Sequence, residues 1–178
     1  MNKTHKTLLK ASFLGTFAET MLLPIWAVLT HKVGGSVLDA GIGYGIFSII
    51  TGIIVIAVGS TAWYNNNIRY MVFWGFTISG IGDILYIFVH TRVELFAVQA
   101  LCGIAVGFLN PAWDVMFTEE TENTGAKWSF WNGGISFVTG IAAVAGALIV
   151  SLFGFGCLFG TMAFFDLLAI YFAYKVIG

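Results

Sequence analysis

An all-α integral membrane bundle of six spanning helices is the fold this sequence predicts, and three observations predict it. Of its 178 residues, 58% are hydrophobic and only 10% are charged, and the mean hydropathy is +0.90. A soluble domain carries about a quarter charged residues. Too little polar surface exists here to cover a globule in water, so lipid is the solvent for most of the chain. Six apolar stretches, at about 8–30, 38–62, 69–89, 94–117, 128–153 and 157–177, each reach the roughly 20 residues that a spanning helix needs. The segments between them are short and polar, and they leave no room for a soluble domain.

Each element has its own local signals. The first stretch follows Lys3, Lys6 and Lys10, yet it is too long for a signal-peptide core and no small-residue cleavage site follows, so it reads as a retained helix. After "HKVGGSVLD", Ser36 or Asp39 is placed to cap the second helix. "WYNNNIR" reads as a polar turn before the third helix, and "HTRVE" as a tight charged turn before the fourth. The fourth contains "GIAVGFLNPAWDVMFTEE", which sets Asn110, Pro111, Trp113 and Asp114 side by side, with Pro111 placed to mark a kink. "EETENTGAK" is the longest polar loop, in which Glu119, Glu120 and Glu122 read as a solvated face, and Phe153-Gly154 forms a minimal hairpin before the sixth helix. With a cytoplasmic N-terminus, Lys3, Lys6, Lys10, Arg69, Lys127 and Lys175 lie inside and only Lys32 and Arg92 outside. This positive-inside bias predicts a multi-pass inner (plasma) membrane protein with both termini cytoplasmic.

Composition also excludes classes. A net charge of −1 without a basic cluster gives no sign of a nucleic-acid partner. Cys102 and Cys157 lie in apolar runs and read as packing residues rather than a disulfide or a metal site. There is no nucleophile motif, no His/Asp/Glu metal spacing and no phosphate-binding acid cluster, so the expectation is a protein without enzymatic activity, cofactor or metal. The 22 glycines form small-xxx-small pairs at Gly41/Gly45, Gly103/Gly107, Ala142/Gly146 and Gly156/Gly160. Small residues let helix backbones approach closely in lipid, either within one bundle or against a partner.

Four carboxylates fall inside the predicted spans: Glu19, Asp83, Asp114 and Asp166. Each costs about 2.5–3.5 kcal/mol or more at the bilayer centre and needs a partner, a proton or a water-filled cavity. No Lys or Arg lies at comparable depth. Helical spacing separates them. Gln99, Gly103, Gly107, Asn110, Asp114 and Thr118 make one small, polar stripe on the fourth helix. Thr16, Glu19, Leu23, Trp26 and Thr30 make another on the first, Tyr44, Ser48 and Thr51 a third on the second, and Asn132, Ser136, Thr139 or Gly140, and Ala143 a fourth on the fifth. Four such stripes enclose a cavity, whereas Asp83 and Asp166 have none around them. Trp26, Trp113, Trp128 and Trp131 read as interfacial anchors or cavity walls, with the anchor role favoured for Trp128, and His31 and His90 lie at the outer rim.

These residues resemble the major facilitator superfamily of secondary transporters, over essentially the whole chain but only one half of the usual twelve-helix protein. Leu95, Gly103, Gly107 and Pro111 fit the register of that family's fourth helix. "WNGGISFVTGIAAVAGALIVSLFGFGCLFG" is similar to its fifth-helix run of spaced glycines, and Pro24 and "LDAGIGYGIFSIITGI" also fit. Gln99 stands where the family has an arginine, Trp63 where its loop signature has an acid, and Ala143 to Gly146 lacks the antiporter proline. The resemblance implies two inverted three-helix repeats, at about 8–89 and 94–177 of a single domain 1–178. It also implies first and fourth helices lining a cavity, second and fifth facing another half, and third and sixth at the periphery.

A half does not enclose a path alone, so the expected assembly is a homodimer with Gly41, Gly45, Gly52, Gly140 and Gly146 at its interface. The expected activity is secondary transport of a small polar or cationic solute by alternating access, with or without proton coupling. Glu19, Tyr44, Gln99, Asn110, Trp113, Asp114 and Asn132 are the candidate substrate- or proton-binding residues. The alternatives are a non-transporting half that needs a different partner and, more remotely, an intramembrane enzyme.

Overall fold

Proline decides the shape of the first membrane segment. In the computed structural model, which describes residues 3–60, 62–119 and 124–177, that segment folds as α1 (Lys3–Leu22), a 3-10 turn (Leu23–Ile25) and α2 (Trp26–Lys32). The ring of Pro24 removes a backbone donor and crowds the preceding turn. The chain leaves helical dihedrals at Ile25 (φ −111°, ψ 10°) before resuming as α2. Gly34, at φ +80°, then reverses the chain in a conformation that favours glycine.

Helix α3 (Val37–Gly59) opens on a capping box. Ser36 Oγ accepts from the Asp39 amide at 3.3 Å, while Asp39 Oδ2 accepts from the Ser36 amide at 2.7 Å. The start of α5 (Arg92–Glu119) repeats the device. Glu94 Oε2 accepts from the amides of His90 and Thr91 at 2.8 and 3.1 Å, and Thr91 Oγ1 accepts from the Glu94 amide at 3.3 Å. Arg92 reaches Asp39 at 3.7 Å, which ties the two caps together. Between them lies α4 (Ala62–Tyr86), and the chain ends with α6 (Thr124–Phe153) and α7 (Phe155–Ile177), joined through Gly154 at φ +82°.

Two boundaries differ from the sequence expectation. The stretch expected as a polar turn at 63–69 is helical, with non-helical dihedrals at Asn67 (φ −127°, ψ 15°), and α6 begins before residue 128. Helix α5 continues through Pro111, where a kink was expected, as the single element that the fourth stretch predicts. Glu120 and Glu122 lie outside the described residues. Among the described residues five segments are long and apolar enough to cross a membrane: Thr4–Lys32, Val37–Gly59, Arg92–Thr118, Gly125–Phe153 and Phe155–Ile177. Helix α4, expected as the third of six spans, falls short of their apolarity because Arg69, Thr77, Ser79 and Asp83 interrupt it.

Packing follows a simple series. Helix α3 lies on α5, α5 on α4, α4 on α7, α7 on α1 and α1 on α6. The end members α3 and α6 keep many large apolar side chains exposed, among them Ile49, Ile53 and Ile56 on α3 and Phe137, Ile141 and Leu148 on α6. Glycines seat α3 on α5: a Cβ on Gly103 would lie 2.7 Å from the Phe47 carbonyl oxygen, and one on Gly107 2.6 Å from Ile54 Cβ. Thr51 Oγ1 donates to the Gly103 carbonyl at 3.1 Å across the same contact.

The core is divided along the bundle axis. One apolar cluster, with Leu8, Phe76, Trp113, Phe117 and Ala173, lies at the end that holds both termini. A second, with Met21, Leu29, Leu95, Leu158 and Met162, lies at the other. Ser79, Gly80 and Asp83 of α4 and Asp166 of α7 fall in the interval between them.

Overpacking a tight contact costs about 1–3 kcal/mol, so Gly107→Val lowers unfolding stability in detergent titration by about that amount. Gly160→Ala, at a helical position with nothing within 4 Å of a new Cβ, leaves stability unchanged or slightly raised. Equal effects from the two variants would refute the glycine seat.

Candidate functional site

Glu19 is half-buried on α1 and borders two cavities. The first, of about 330 Å³, is lined by Glu19, Thr20 and Trp26, by Tyr44 and Phe47 of α3, by Ser79, Asp83 and Tyr86 of α4, and by Gln99 and Cys102 of α5. The second, of about 370 Å³, is lined by Ser12, Thr16 and Glu19 of α1, by Asn110, Trp113 and Asp114 of α5, and by Trp128, Trp131 and Asn132 of α6. They lie toward opposite ends of the bundle. The first takes residues after Glu19 on α1 and the early turns of α5, and the second takes residues before Glu19 and the late turns of α5. Among the described residues, no Lys or Arg lines either cavity.

Local packing sets each side chain. Ser79 Oγ donates to Glu19 Oε1 at 3.3 Å, and Gln99 Nε2 donates to the Tyr86 hydroxyl at 3.1 Å. Trp26 Nε1 donates to the Ala40 carbonyl at 3.0 Å, which fixes its ring in the wall of the first cavity. That ring lies over Gly43, where a Cβ would meet it at 2.9 Å. In the second cavity Trp113 stacks on Trp131 and Phe117, with ring centroids at 4.0 and 4.6 Å, and those two rings are themselves 5.9 Å apart, so the three form one aromatic cluster. Trp113 Nε1 and Ser12 Oγ are buried there without a hydrogen-bond partner among the described residues. Buried polar groups are normally satisfied, so such exceptions need an explanation. Asn110, Asp114 and Asn132 are exposed, although they sit on helices of membrane-crossing length.

The candidate residues therefore fall into two groups around Glu19, not one. Tyr44 and Gln99 line the first cavity, and Asn110, Trp113, Asp114 and Asn132 the second. Asp83 was expected at the periphery, but α4 packs between α5 and α7, and the carboxyl lines the first cavity at 3% exposure. The signal was present: Ser79, Asp83 and Tyr86 recur at helical spacing on one face. Gly41, Gly45, Gly52 and Gly140, expected at a dimer interface, have open space beside them in the single chain. Gly146 does not belong with them. It is buried against the backbone of Met21, because α6 crosses α1 there within the same chain.

A helical membrane bundle with cavities on both sides of a carboxyl, and no fixed cation to neutralise it, has the features of a solute-translocating protein. The chain matches the Major Facilitator Superfamily over residues 8–177, and it belongs to that family of membrane transporters. No individual curated protein matches it.

The Gln99–Tyr86 bond is buried and serves as a measurable strut. Tyr86→Phe and Gln99→Leu each lower stability by about 0.5–1.5 kcal/mol, and the double variant costs less than their sum. Strict additivity in the double-mutant cycle would show that the two side chains do not support each other.

Proposed function

We propose that this protein is a secondary transporter of a small polar or cationic solute, working by alternating access. The observation that carries the reading is Glu19, which borders a cavity toward each end of the bundle. A solute or proton held at Glu19 is one wall away from either side. The acidic lining without Lys or Arg favours cations over anions by simple electrostatics. Ser12 Oγ and Trp113 Nε1 add unsatisfied polar atoms for a ligand's polar groups. Glu19, Tyr44, Gln99, Asn110, Trp113, Asp114 and Asn132 are the residues assigned to solute or proton binding.

The transporting unit in this proposal is a homodimer. Asn110, Asp114 and Asn132 are exposed on membrane-length helices, and polar groups at that depth face protein or water rather than lipid. A second copy related by a twofold axis along the membrane normal covers them with its own matching face. Gly41, Gly45, Gly52 and Gly140 on the exposed sides of α3 and α6 allow close approach. Two inverted repeats are part of the same reading. Exchanging the first membrane segment with α5, α3 with α6, and α4 with α7 carries the pair α5–α4 onto α1–α7 and the pair α5–α3 onto α1–α6. The excess of Lys and Arg at the end holding the termini supports both termini in the cytoplasm of a cell whose plasma membrane carries the protein.

Native mass spectrometry from detergent tests the assembly: a mass of twice the chain supports the homodimer, and a monomer under all mild conditions rejects it. Uptake by proteoliposomes, with and without a proton gradient, tests the activity on solutes chosen by thermal stabilisation of the protein. Glu19→Gln abolishes uptake or removes its pH dependence. Asp114→Asn weakens a cationic solute by about tenfold, or about 1.4 kcal/mol. Unchanged uptake at every pH in Glu19→Gln would remove that residue from the mechanism.

A further inference from the structure

Of the four carboxyls within the predicted spans, two remain outside the solute-binding assignment. Asp166 on α7 is 0% exposed, and neither of its oxygens has a hydrogen-bond partner among the described residues. Asp83 on α4 is 3% exposed, with Oδ2 equally unpartnered, and it lines the first cavity. Asp166 sits against Gly80, where a Cβ would lie 3.3 Å from its own Cβ. That glycine lets the acid approach α4 one turn from Asp83. Ser79, which donates to Glu19, lies beside Asp166 as well, without completing a hydrogen bond of normal geometry. Asp83 and Asp166 are both within electrostatic reach of Glu19.

The titratable side chains of this neighbourhood are Glu19 on α1, Tyr44 on α3, Asp83 and Tyr86 on α4, Cys102 on α5 and Asp166 on α7. None is basic. An ionised carboxylate in an apolar interior without a counter-charge is so costly that the group neutralises instead. Three ionised acids together would add mutual repulsion. A metal ion is the other way to supply positive charge, but no group of three His, Cys, Asp or Glu among the described residues is arranged to hold one. A proton needs only one carboxyl at a time.

We propose that Glu19, Asp83 and Asp166 form a single proton-holding unit, loaded through the cavity that Asp83 shares with Tyr44 and Gln99. Asp83 meets the cavity, Glu19 stands between the two cavities, and Asp166 lines neither, so it exchanges its proton only through the other members and Ser79. Each step moves one proton between carboxyl oxygens or to water, with no other bond changed. The unit shares Glu19 with the transport reading and gives that reading a proton store, but it is tested without any solute.

Infrared spectroscopy of the full chain in lipid vesicles, from mildly acidic to alkaline buffer, reads the carboxylic-acid carbonyl band directly. The expected result is a band present at neutral pH and lost on alkalinisation. Asp83→Asn and Asp166→Asn each reduce it and shift the pH at which the remainder disappears. Asp166→Leu, which removes the acid without adding an amide, serves as a second variant should Asp166→Asn not fold. No band at neutral pH in the wild-type protein would overturn the proposal. So would a remainder that titrates unchanged in every folded variant, since the acids would then be independent. Suppression of the band by sodium or potassium at constant pH would also overturn it, by making the site one for a metal cation. Any of these failures leaves the transport reading standing, and a protein that fails to transport leaves the infrared result standing.

Discussion

Carboxyl groups placed in a lipid-solvated bundle without a fixed positive partner are the constraint on which the rest of this structure depends. Glu19, Asp83 and Asp166 come from three helices, and they converge in the interval between the two apolar clusters. Hydrophobic contact does little to hold helices together when the solvent is itself apolar, so the bundle relies on close backbone approach and side-chain packing at each end. Those ends hold the polar interval in place, and they do so with aromatic stacks near the termini and a Phe155–Phe159–Tyr86 group at the other end. The polar interval thus owes its geometry to apolar packing on either side of it.

The same arrangement separates the work of the helices. Helices α1 and α5 each contribute to both cavities and pass through the middle of the packing series. Helices α4 and α7 lean on each other and carry the two most deeply buried acids. Helices α3 and α6 stand at the ends of the series and leave polar side chains such as Asn132 exposed. Membership of a transporter family fits a division into lining and supporting elements.

How much of this was legible in the sequence depended on the kind of signal. Membrane helices announce themselves by length and apolarity, so five segments were readable directly, and Gly154 and the Ser36–Asp39 cap were readable from local chemistry. Helix α4 was harder, because its polar residues lower its apolarity and its first turns carry an asparagine run that reads as a turn. The stripe on α5 was visible because small and polar residues recur at helical spacing. Asp83 carried a similar spacing with Ser79 and Tyr86, but a face has meaning only once its neighbours are known, and the family analogy placed its helix at the margin. Gly146 shows the same limit in reverse: a small residue is identical in sequence whether it meets its own chain or another, and only the crossing of α6 over α1 decides.

One feature of the α3–α5 contact reaches beyond packing. At Gly103 and Gly107 the two helices touch almost main chain to main chain, with Thr51 bonded across the gap, and at their starts Arg92 joins the two caps. Such a seam has few side-chain torsions to absorb a displacement, so the pair behaves as a stiff two-ply beam. Bending is left to places where the ladder of backbone bonds is already interrupted, and the Pro24 turn is the nearest of these to Glu19.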